Sequence, residues 1–234
     1  MSGYDPLVPS VRQPKSPGPA RRRPLARARK IADRLALIYP GTATELCALV
    51  HRNPFELLIA TILSAQCTDE RVNMVMPGLF LRYPTPKDLA GADRTELENL
   101  IRPTGFFRSK APHILGVSEA IVMRHDGEVP RTMEELTALP GVGRKTANVV
   151  LSVAFSLPGL PVDTHVIRLS QRLKLTESAD PVKIEQDLCA LFPASQWGEI
   201  SLRLILHGRK VCVARRPRCE LCEIAEWCPS RGKF

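Results

Sequence analysis

The sequence predicts an all-α protein, because helix-start signals recur along the chain while strand signals are nearly absent. No stretch alternates polar and apolar residues for long, and no Asn-Gly pair marks a β-hairpin turn. The segments between Pro and Gly residues suit helices of about 8–15 residues joined by short turns. With 234 residues, the chain can build either one large domain or two modest ones.

The clearest helix start is the Asn-Pro-Phe-Glu segment at 53–56, which supplies an N-cap, a first-turn proline and a capping-box glutamate. The helix that it opens is apolar nearly all round from Leu57 to Leu63, so it is expected at the centre of the fold. Another helix is predicted from Arg144 to about Phe155, directly after a Leu-Pro-Gly turn. Further starts of the same kind lie at Thr85-Pro86, Asp93, Thr132 and Asp180-Pro181.

The formal net charge of +9 is concentrated at the two ends of the chain. Residues 1–30 contain eight Lys or Arg against the single acid Asp5, and residues 201–234 contain eight against three glutamates. Basic ends on a near-neutral body favour a polyanionic partner, with nucleic acid the leading candidate. Solubility alone would explain a net charge but not its clustering.

The N-terminal segment and the length of the apolar runs predict the cellular location of the protein. Residues 1–25 have no apolar stretch typical of a secretory signal, and their prolines would break the amphipathic helix of a mitochondrial transit peptide. We therefore predict a disordered basic arm over 1–25. No apolar run approaches the roughly 18–20 residues of a membrane span. A cytoplasmic monomer is expected, associated with the nucleoid if the source is bacterial.

The string Leu-Pro-Gly-Val-Gly-Arg-Lys-Thr-Ala at 139–147 predicts two helices joined by a glycine hairpin. Gly141 and Gly143 can adopt positive φ and allow another backbone to approach closely. The second helix would point its free N–H groups and positive dipole end outward, which suits a phosphate. A tight turn without any ligand is the plainer interpretation of a Gly-x-Gly, but the basic Arg144-Lys145-Thr146 sequence favours phosphate binding.

Lys145 and Asp163, the latter in a Val-Asp-Thr-His string, are candidates for covalent chemistry. Taken singly, a lysine is most often a solvated charge, and an aspartate before a helix is most often its cap. However, a first-turn position beside Arg144 disfavours an extra positive charge on Lys145, as an amine nucleophile requires. A nearby carboxylate could accept its proton and stabilise positive charge on a sugar.

Four of the seven cysteines, Cys212, Cys219, Cys222 and Cys228, are crowded into the C-terminal region and suggest a metal site. A zinc ribbon favours two Cys-x2-Cys pairs well apart, whereas this compact set has one such pair and fits an iron–sulfur cluster better. The loop between the first two ligands would present Arg215, Arg216 and Arg218 to phosphates. Cys47, Cys67 and Cys189 lie in apolar stretches and are expected to be reduced thiols.

Together, the 139–147 string, the 162–165 string and the cysteine spacing resemble the endonuclease III family of DNA glycosylases, in the helix-hairpin-helix superfamily. The resemblance covers residues 28–232. It implies two helical domains with a DNA cleft between them. A six-helix domain containing the hairpin would span 47–157, and residues 26–46 with 158–234 would form a second domain holding a [4Fe–4S] cluster.

The resemblance also implies an activity and roles for individual residues. The activity is removal of oxidised or ring-damaged pyrimidines from duplex DNA, followed by β-elimination at the abasic site. Lys145 corresponds to the nucleophile and Asp163 to the catalytic aspartate. Gln66 corresponds to the residue that fills the gap left by the flipped base, and Phe106 to a wedge on a second loop. The other implied DNA contacts are Arg108, Lys110, Gly141, Val142, Gly143, Arg144, Thr146, Arg215, Arg216 and Arg218.

Two positions depart from the family pattern, and three rival functions stay open. Cys67 stands where relatives carry Ala or Ser, and Phe106 stands where some carry Leu, which bears on opposite-base preference. An adenine glycosylase shares the cluster but lacks the lysine found here at Lys145. A non-catalytic helix-hairpin-helix module would only hold DNA. A zinc-stabilised scaffold would be colourless, whereas an iron–sulfur protein is brown.

Overall fold

The computed structural model describes residues 19–233, with side chains from residue 25 onward. This range is helical and contains no strand, so the predicted all-α class is confirmed. Its α-helices are α1 (Pro19–Ile38), α2 (Ala43–Leu46), α3 (Pro54–Leu63), α4 (Asp69–Arg82), α5 (Pro86–Ala90), α6 (Arg94–Ile101), α7 (Phe107–Arg124), α8 (Met133–Thr137), α9 (Arg144–Val149), α10 (Thr164–Arg172), α11 (Pro181–Leu191) and α12 (Trp197–Lys210). Short 3-10 turns cover Arg102–Thr104, Ala194–Gln196, Cys219–Leu221 and Ala225–Trp227. None of these helices is long and apolar enough to cross a membrane.

The predicted helix starts are confirmed by their caps. The Asn53 side chain accepts a hydrogen bond from the Glu56 N–H at 2.9 Å, which begins α3 where the sequence indicated. The Glu56 carboxylate reaches one residue further back than a capping box, accepting from the Arg52 N–H at 2.8 Å. Nine of the ten residues of α3 are buried, so its predicted central position is also confirmed. The same capping starts α5, α6, α8 and α11, at Thr85, Asp93, Thr132 and Asp180.

Two boundaries differ from the prediction. Helix α1 begins at Pro19, inside the segment predicted as an arm, because a first-turn proline loses no helical hydrogen bond. The rest of that segment, residues 1–18, lies outside the described residues. The helix from Arg144 ends as an α-helix at Val149 and continues as a π-helical turn over Val150–Ala154. There the Ser152 hydroxyl donates to the Asn148 carbonyl at 2.7 Å and competes with the backbone ladder.

The buried apolar side chains of the described residues form one continuous core, from Ala28 on α1 to Ile224 near the last cysteines. Helices α3, α5 and α6 pack against α7, while α1, α2 and α10 pack against α12. The two segments predicted as separate domains therefore share an apolar core. This packing fixes the start of α9 and the start of α10 relative to each other, and both starts border one cleft.

Candidate active site and DNA interface

A tightly packed glycine hairpin places Lys145 at the protein surface. Gly141 has φ of +74°, and a Cβ added to it would lie 2.7 Å from the Cβ and Cγ atoms of His113 on α7. Both the backbone conformation and the contact therefore require glycine. Gly143 is the N-cap of α9, which puts Arg144 and Lys145 in the exposed first turn. The lysine thus extends from a helix end held firmly against the core.

Val142 contributes to this hairpin in a different way from the prediction. Its side chain is buried in the core, and its N–H donates to the Leu139 carbonyl at 3.2 Å. The side chain and the N–H are thus both engaged within the protein, and a DNA contact by Val142 stays a prediction. Gly141 and Gly143 are exposed, and Thr146 is half-buried, so these predicted contacts remain sterically open.

Asp163 caps α10 and also borders the cleft that contains Lys145. Its Oδ1 atom accepts hydrogen bonds from the N–H groups of His165 at 2.8 Å and Val166 at 2.9 Å. These two bonds hold the half-buried carboxylate in one orientation. Lys145 and Asp163, which lie 18 residues apart in sequence, line the same cleft. The two candidates from the sequence are thus brought together.

An ion pair that was not predicted from the sequence spans the cleft. Arg209 on α12 places its Nη1 atom 2.6 Å from Oδ2 of Asp69 in the first turn of α4, and both residues line the cleft with Lys145. In sequence, Asp69 is an ordinary first-turn acid after the Thr68 cap, and its partner lies 140 residues away. No local pattern signals such a pair.

A half-buried thiol also faces this cleft. Burial raises the pKa of Cys47 above its ordinary value, while the positive charges of Lys145 and Arg209 act in the opposite direction. The net rise keeps the Cys47 thiol neutral near pH 7. Its Sγ–H donates to the Leu49 carbonyl at 3.8 Å.

Arg144 is engaged within the protein. Its Nε and Nη2 atoms each lie 2.8 Å from a carboxylate oxygen of Glu185 on α11. This bidentate hydrogen bonding raises the pKa of Arg144 above its ordinary value. The side chain of Arg144 is 47% exposed and that of Glu185 only 11%, so the pair fastens the hairpin helix α9 to α11. A phosphate contact by Arg144 would have to compete with this pair.

Two loops beside α3 and α7 present the side chains expected to enter DNA. Gln66 has φ of +54° and Phe106 has φ of +48°, a left-handed conformation that costs non-glycine residues on the order of 1 kcal/mol or more. Gln66 is exposed, and Phe106, although apolar, is 62% exposed. Arg108 is exposed in the first turn of α7. Exposed side chains on a strained backbone are typical of a functional surface.

Lys110 departs from its predicted role at this surface. Its side chain is buried, and its Nζ atom donates to the Leu63 carbonyl at 2.7 Å and the Thr104 carbonyl at 2.9 Å. The predicted phosphate contact by Lys110 is therefore corrected, because the ammonium points into the protein. Desolvation lowers the pKa of Lys110 below its ordinary value.

The four C-terminal cysteines surround one cavity. Cys212, Cys219, Cys222 and Cys228 all line it, with Leu169, Leu173 and Ile224 among the apolar residues of its wall. Burial, with the neighbouring thiols adding to it, raises the pKa of Cys222 to about 11. A thiol this difficult to ionise needs positive charge from a metal to become a thiolate. Four thiols that line one shared cavity fit an iron–sulfur cluster.

Hydrogen-bond donors approach these thiols from α10 and α12. The Arg172 Nη1 atom lies 3.3 Å from Cys212 Sγ, and the His207 Nε2 atom lies 3.4 Å from Cys222 Sγ. Burial lowers the pKa of His207 to about 4, which keeps the ring neutral, and its Nδ1 lies 3.3 Å from the Tyr39 hydroxyl. A neutral ring can donate to sulfur through Nε2 while it accepts from the tyrosine.

The loop between Cys212 and Cys219 presents three exposed arginines, as predicted: Arg215, Arg216 and Arg218. Helix α10 holds the start of this loop, because Arg168 donates to the Cys212 carbonyl and Arg172 donates to the carbonyls of the two residues that follow. The arginines are therefore displayed on a supported loop.

Comparison with known proteins agrees with this geometry. The model of the HhH-GPD superfamily of base excision DNA repair proteins matches residues 59–194, and that of the iron–sulfur binding domain of endonuclease III matches residues 212–228. The endonuclease III of Synechocystis is 56% identical over 205 residues, which cover 87% of this chain and 92% of the relative. That of Escherichia coli is 39% identical, with 89% of this chain and 97% of the relative covered. The chain belongs to the endonuclease III family.

Solved structures of endonuclease III have the same fold as this chain. A non-covalent endonuclease III–DNA complex superimposes with a TM-score of 0.83 at 43% identity, covering 89% of this chain and 97% of that one. A trapped covalent endonuclease III–DNA intermediate gives the same values. A thermostable thymine-DNA glycosylase, at 21% identity and a TM-score of 0.77, shares the fold. In keeping with its family, the chain carries a [4Fe–4S] cluster.

Proposed function

We propose that Lys145 and Asp163 perform the chemistry of a DNA glycosylase and AP lyase that removes damaged pyrimidines from duplex DNA in base excision repair. The observation that carries this proposal is the shared cleft. A lysine in an exposed helix first turn and a carboxylate fixed by two N–H bonds line it together. A damaged nucleotide turned out of the duplex would enter this cleft.

The reaction follows from these two groups. The Lys145 amine attacks C1′ of the nucleotide, and the base leaves with the electron pair of its glycosidic bond and takes up a proton. Asp163 stabilises the positive charge that develops on the sugar. The amine then passes its extra proton to the ring oxygen O4′ and the C1′–O4′ bond breaks, which opens the sugar ring and leaves a protonated Schiff base. Loss of a C2′ proton breaks the C3′–O bond and releases the part of the strand on the 3′ side, which leaves with a phosphate at its 5′ end.

Surface charge supports a duplex as the substrate. Exposed Arg215, Arg216 and Arg218 lie on one supported loop, and Arg108 lies beside the exposed Phe106. Gly141, Gly143 and Thr146 add a hairpin whose helix end suits a phosphate. Gln66 and Phe106 would occupy the space left by the flipped nucleotide. In a bacterial cell, such an enzyme would work on chromosomal DNA in the nucleoid.

The cavity lined by the four cysteines lies next to the loop that carries these arginines. We assign Cys212, Cys219, Cys222 and Cys228 as the residues that hold the cluster, because all four line one cavity. When bound, the cluster cross-links the C-terminal loop through four thiolates. The loop arginines then keep one fixed arrangement toward DNA.

Borohydride trapping tests the nucleophile, since reduction of a Schiff base leaves a permanent protein–DNA adduct. The wild-type protein should form this adduct with an abasic-site duplex, and Lys145→Gln should form none while still binding that duplex. Lys183→Gln is a matched control, because Lys183 is also exposed in the first turn of a helix. Undiminished strand cleavage by Lys145→Gln would remove this lysine from the mechanism.

Excision assays on matched duplexes would identify the substrates. Thymine glycol, dihydrouracil, uracil, 8-oxoguanine and an abasic site would each be placed in one sequence context. We expect excision of the two damaged pyrimidines and cleavage at the abasic site. Removal of adenine opposite 8-oxoguanine, without cleavage at abasic sites, would favour an adenine glycosylase instead.

A further inference from the structure

Lys110 joins two parts of the chain that lie far apart in sequence. It sits in the first turn of α7 with a side chain only 4% exposed. Its ammonium donates to the carbonyl of Leu63, 47 residues earlier, at 2.7 Å and to that of Thr104 at 2.9 Å. A buried lysine is uncommon, and here its partners are backbone carbonyls rather than a carboxylate.

The two carbonyls are alike in their position. Leu63 is the last residue of α3, and Thr104 is the last residue of the 3-10 turn at Arg102–Thr104. The last carbonyls of a helix lack a partner within it and carry the negative end of its dipole. One ammonium therefore satisfies both helical ends, and its positive charge suits both.

Each of these ends leads directly into one of the two DNA-facing loops. Residues 64–66 follow Leu63 and end at Gln66, and residues 105–106 follow Thr104 and end at Phe106. Both loops contain left-handed backbone, with φ of +54° at Gln66 and +48° at Phe106. Since such conformations persist only when their surroundings impose them, the anchor at the base of each loop matters.

We propose that Lys110 is a positioning residue that fixes the Gln66 loop and the Phe106 loop relative to each other, so that both side chains enter the duplex together. This inference rests on the proposed function, in which these side chains fill the gap beside a flipped nucleotide. An amine that only filled the core would stabilise the fold without coupling the two loops.

A fluorescence experiment tests the coupling without requiring catalysis. The probe is a duplex with 2-aminopurine opposite a tetrahydrofuran abasic analogue, whose fluorescence rises when the base is unstacked. Saturating wild-type protein should raise the signal, and Lys110→Met should lose most of that rise. Lys87→Met, which replaces an exposed lysine on α5, should behave as the wild type does. A rise with Lys110→Met equal to that with the wild type would overturn the proposal.

A double-mutant cycle separates coupling from general stability. If Lys110 acts through the Phe106 wedge, the double variant Lys110→Met, Phe106→Ala should give nearly the same fluorescence as Phe106→Ala alone. Independent losses that add in free energy would show Lys110 to be structural only. Circular dichroism checks folding. If Lys110→Met does not fold, the cycle uses Lys110→Gln, whose amide keeps two N–H donors.

Rates give a second readout that is distinct from the test of the nucleophile. Lys110→Met should excise a damaged pyrimidine about 10- to 100-fold more slowly at saturating enzyme, because misplaced loops hold the flipped nucleotide poorly. Borohydride adducts should still form, since Lys145 is intact. Loss of adducts from the wild type would contradict the proposed function, while the fluorescence cycle would still decide the role of Lys110.

Discussion

The Arg144 guanidinium binds the Glu185 carboxylate through two parallel hydrogen bonds of 2.8 Å, which connect the helix that carries Lys145 to helix α11. The pair crosses the boundary at residue 157 that separates the two domains implied by the family resemblance. It therefore ties the helix that carries Lys145 to the part of the chain that carries the cysteines.

Breaking this pair should lower stability while leaving the salt dependence of DNA binding nearly unchanged. Arg144→Ala and Glu185→Gln are each expected to lower the free energy of unfolding by roughly 1–2 kcal/mol, with strong coupling in the double variant. Denaturant unfolding measures these losses. A DNA-binding salt slope that falls by about 0.9 in Arg144→Ala would instead show a phosphate contact by Arg144, as the sequence suggested.

The Asp163→Asn variant should separate the helix-capping role of Asp163 from its proposed role in base excision. Asn caps helices as well as Asp does, so Asp163→Asn should leave thermal stability almost unchanged. Base excision at saturating enzyme should fall by about 100-fold, because the neutral amide cannot offset charge on the sugar. Asp180→Asn, at the cap of α11, is the matched control and should retain activity. Equal losses in DNA binding and in excision by Asp163→Asn would show that Asp163 acts only as a helix cap.

Removing one cysteine ligand should remove the cluster. The purified wild-type protein is expected to be brown with about four irons per chain, and Cys219→Ser should be colourless and bind DNA more weakly. Weaker binding is expected because Arg215, Arg216 and Arg218 lie on the loop that ends at Cys219. Cys189→Ser is the control, since Cys189 on α11 does not line the thiol cavity. Stoichiometric zinc without iron in anaerobically prepared wild-type protein would contradict the assignment.

The basic N-terminal segment should contribute to the salt dependence of binding. Substitution by glutamine removes its charge and keeps the chain length, for Arg12, Lys15, Arg21, Arg22 and Arg23 together. Five phosphate contacts would set a ceiling of about 4.5 in the log–log slope, and we expect a decrease of about 1–3 because not every cation meets a phosphate. Single-turnover excision at saturating enzyme should barely change. An unchanged slope would mean that this segment does not touch DNA.

The sequence by itself determined the features that depend on neighbouring residues. Asn53 and Asp180 capped the helices that they were expected to cap, because a cap uses N–H groups only two or three residues away. Gly141 adopts the positive φ that its hairpin suggested. The spacing of the cysteines also sufficed to keep the four thiols close together, because they lie on one short stretch of chain, and all four line one cavity.

Only the tertiary structure decided which charges are free to meet DNA. Lys110 and Arg144 have the same local signature as the exposed Arg108, yet one is buried beneath two loops and the other is paired with Glu185. Leu63, one of the two partners of Lys110, lies 47 residues away in sequence, and Glu185 lies 41 residues from Arg144. No local pattern therefore specifies these contacts. A charged side chain is committed by whichever distant groups the packing of the core brings within hydrogen-bond distance.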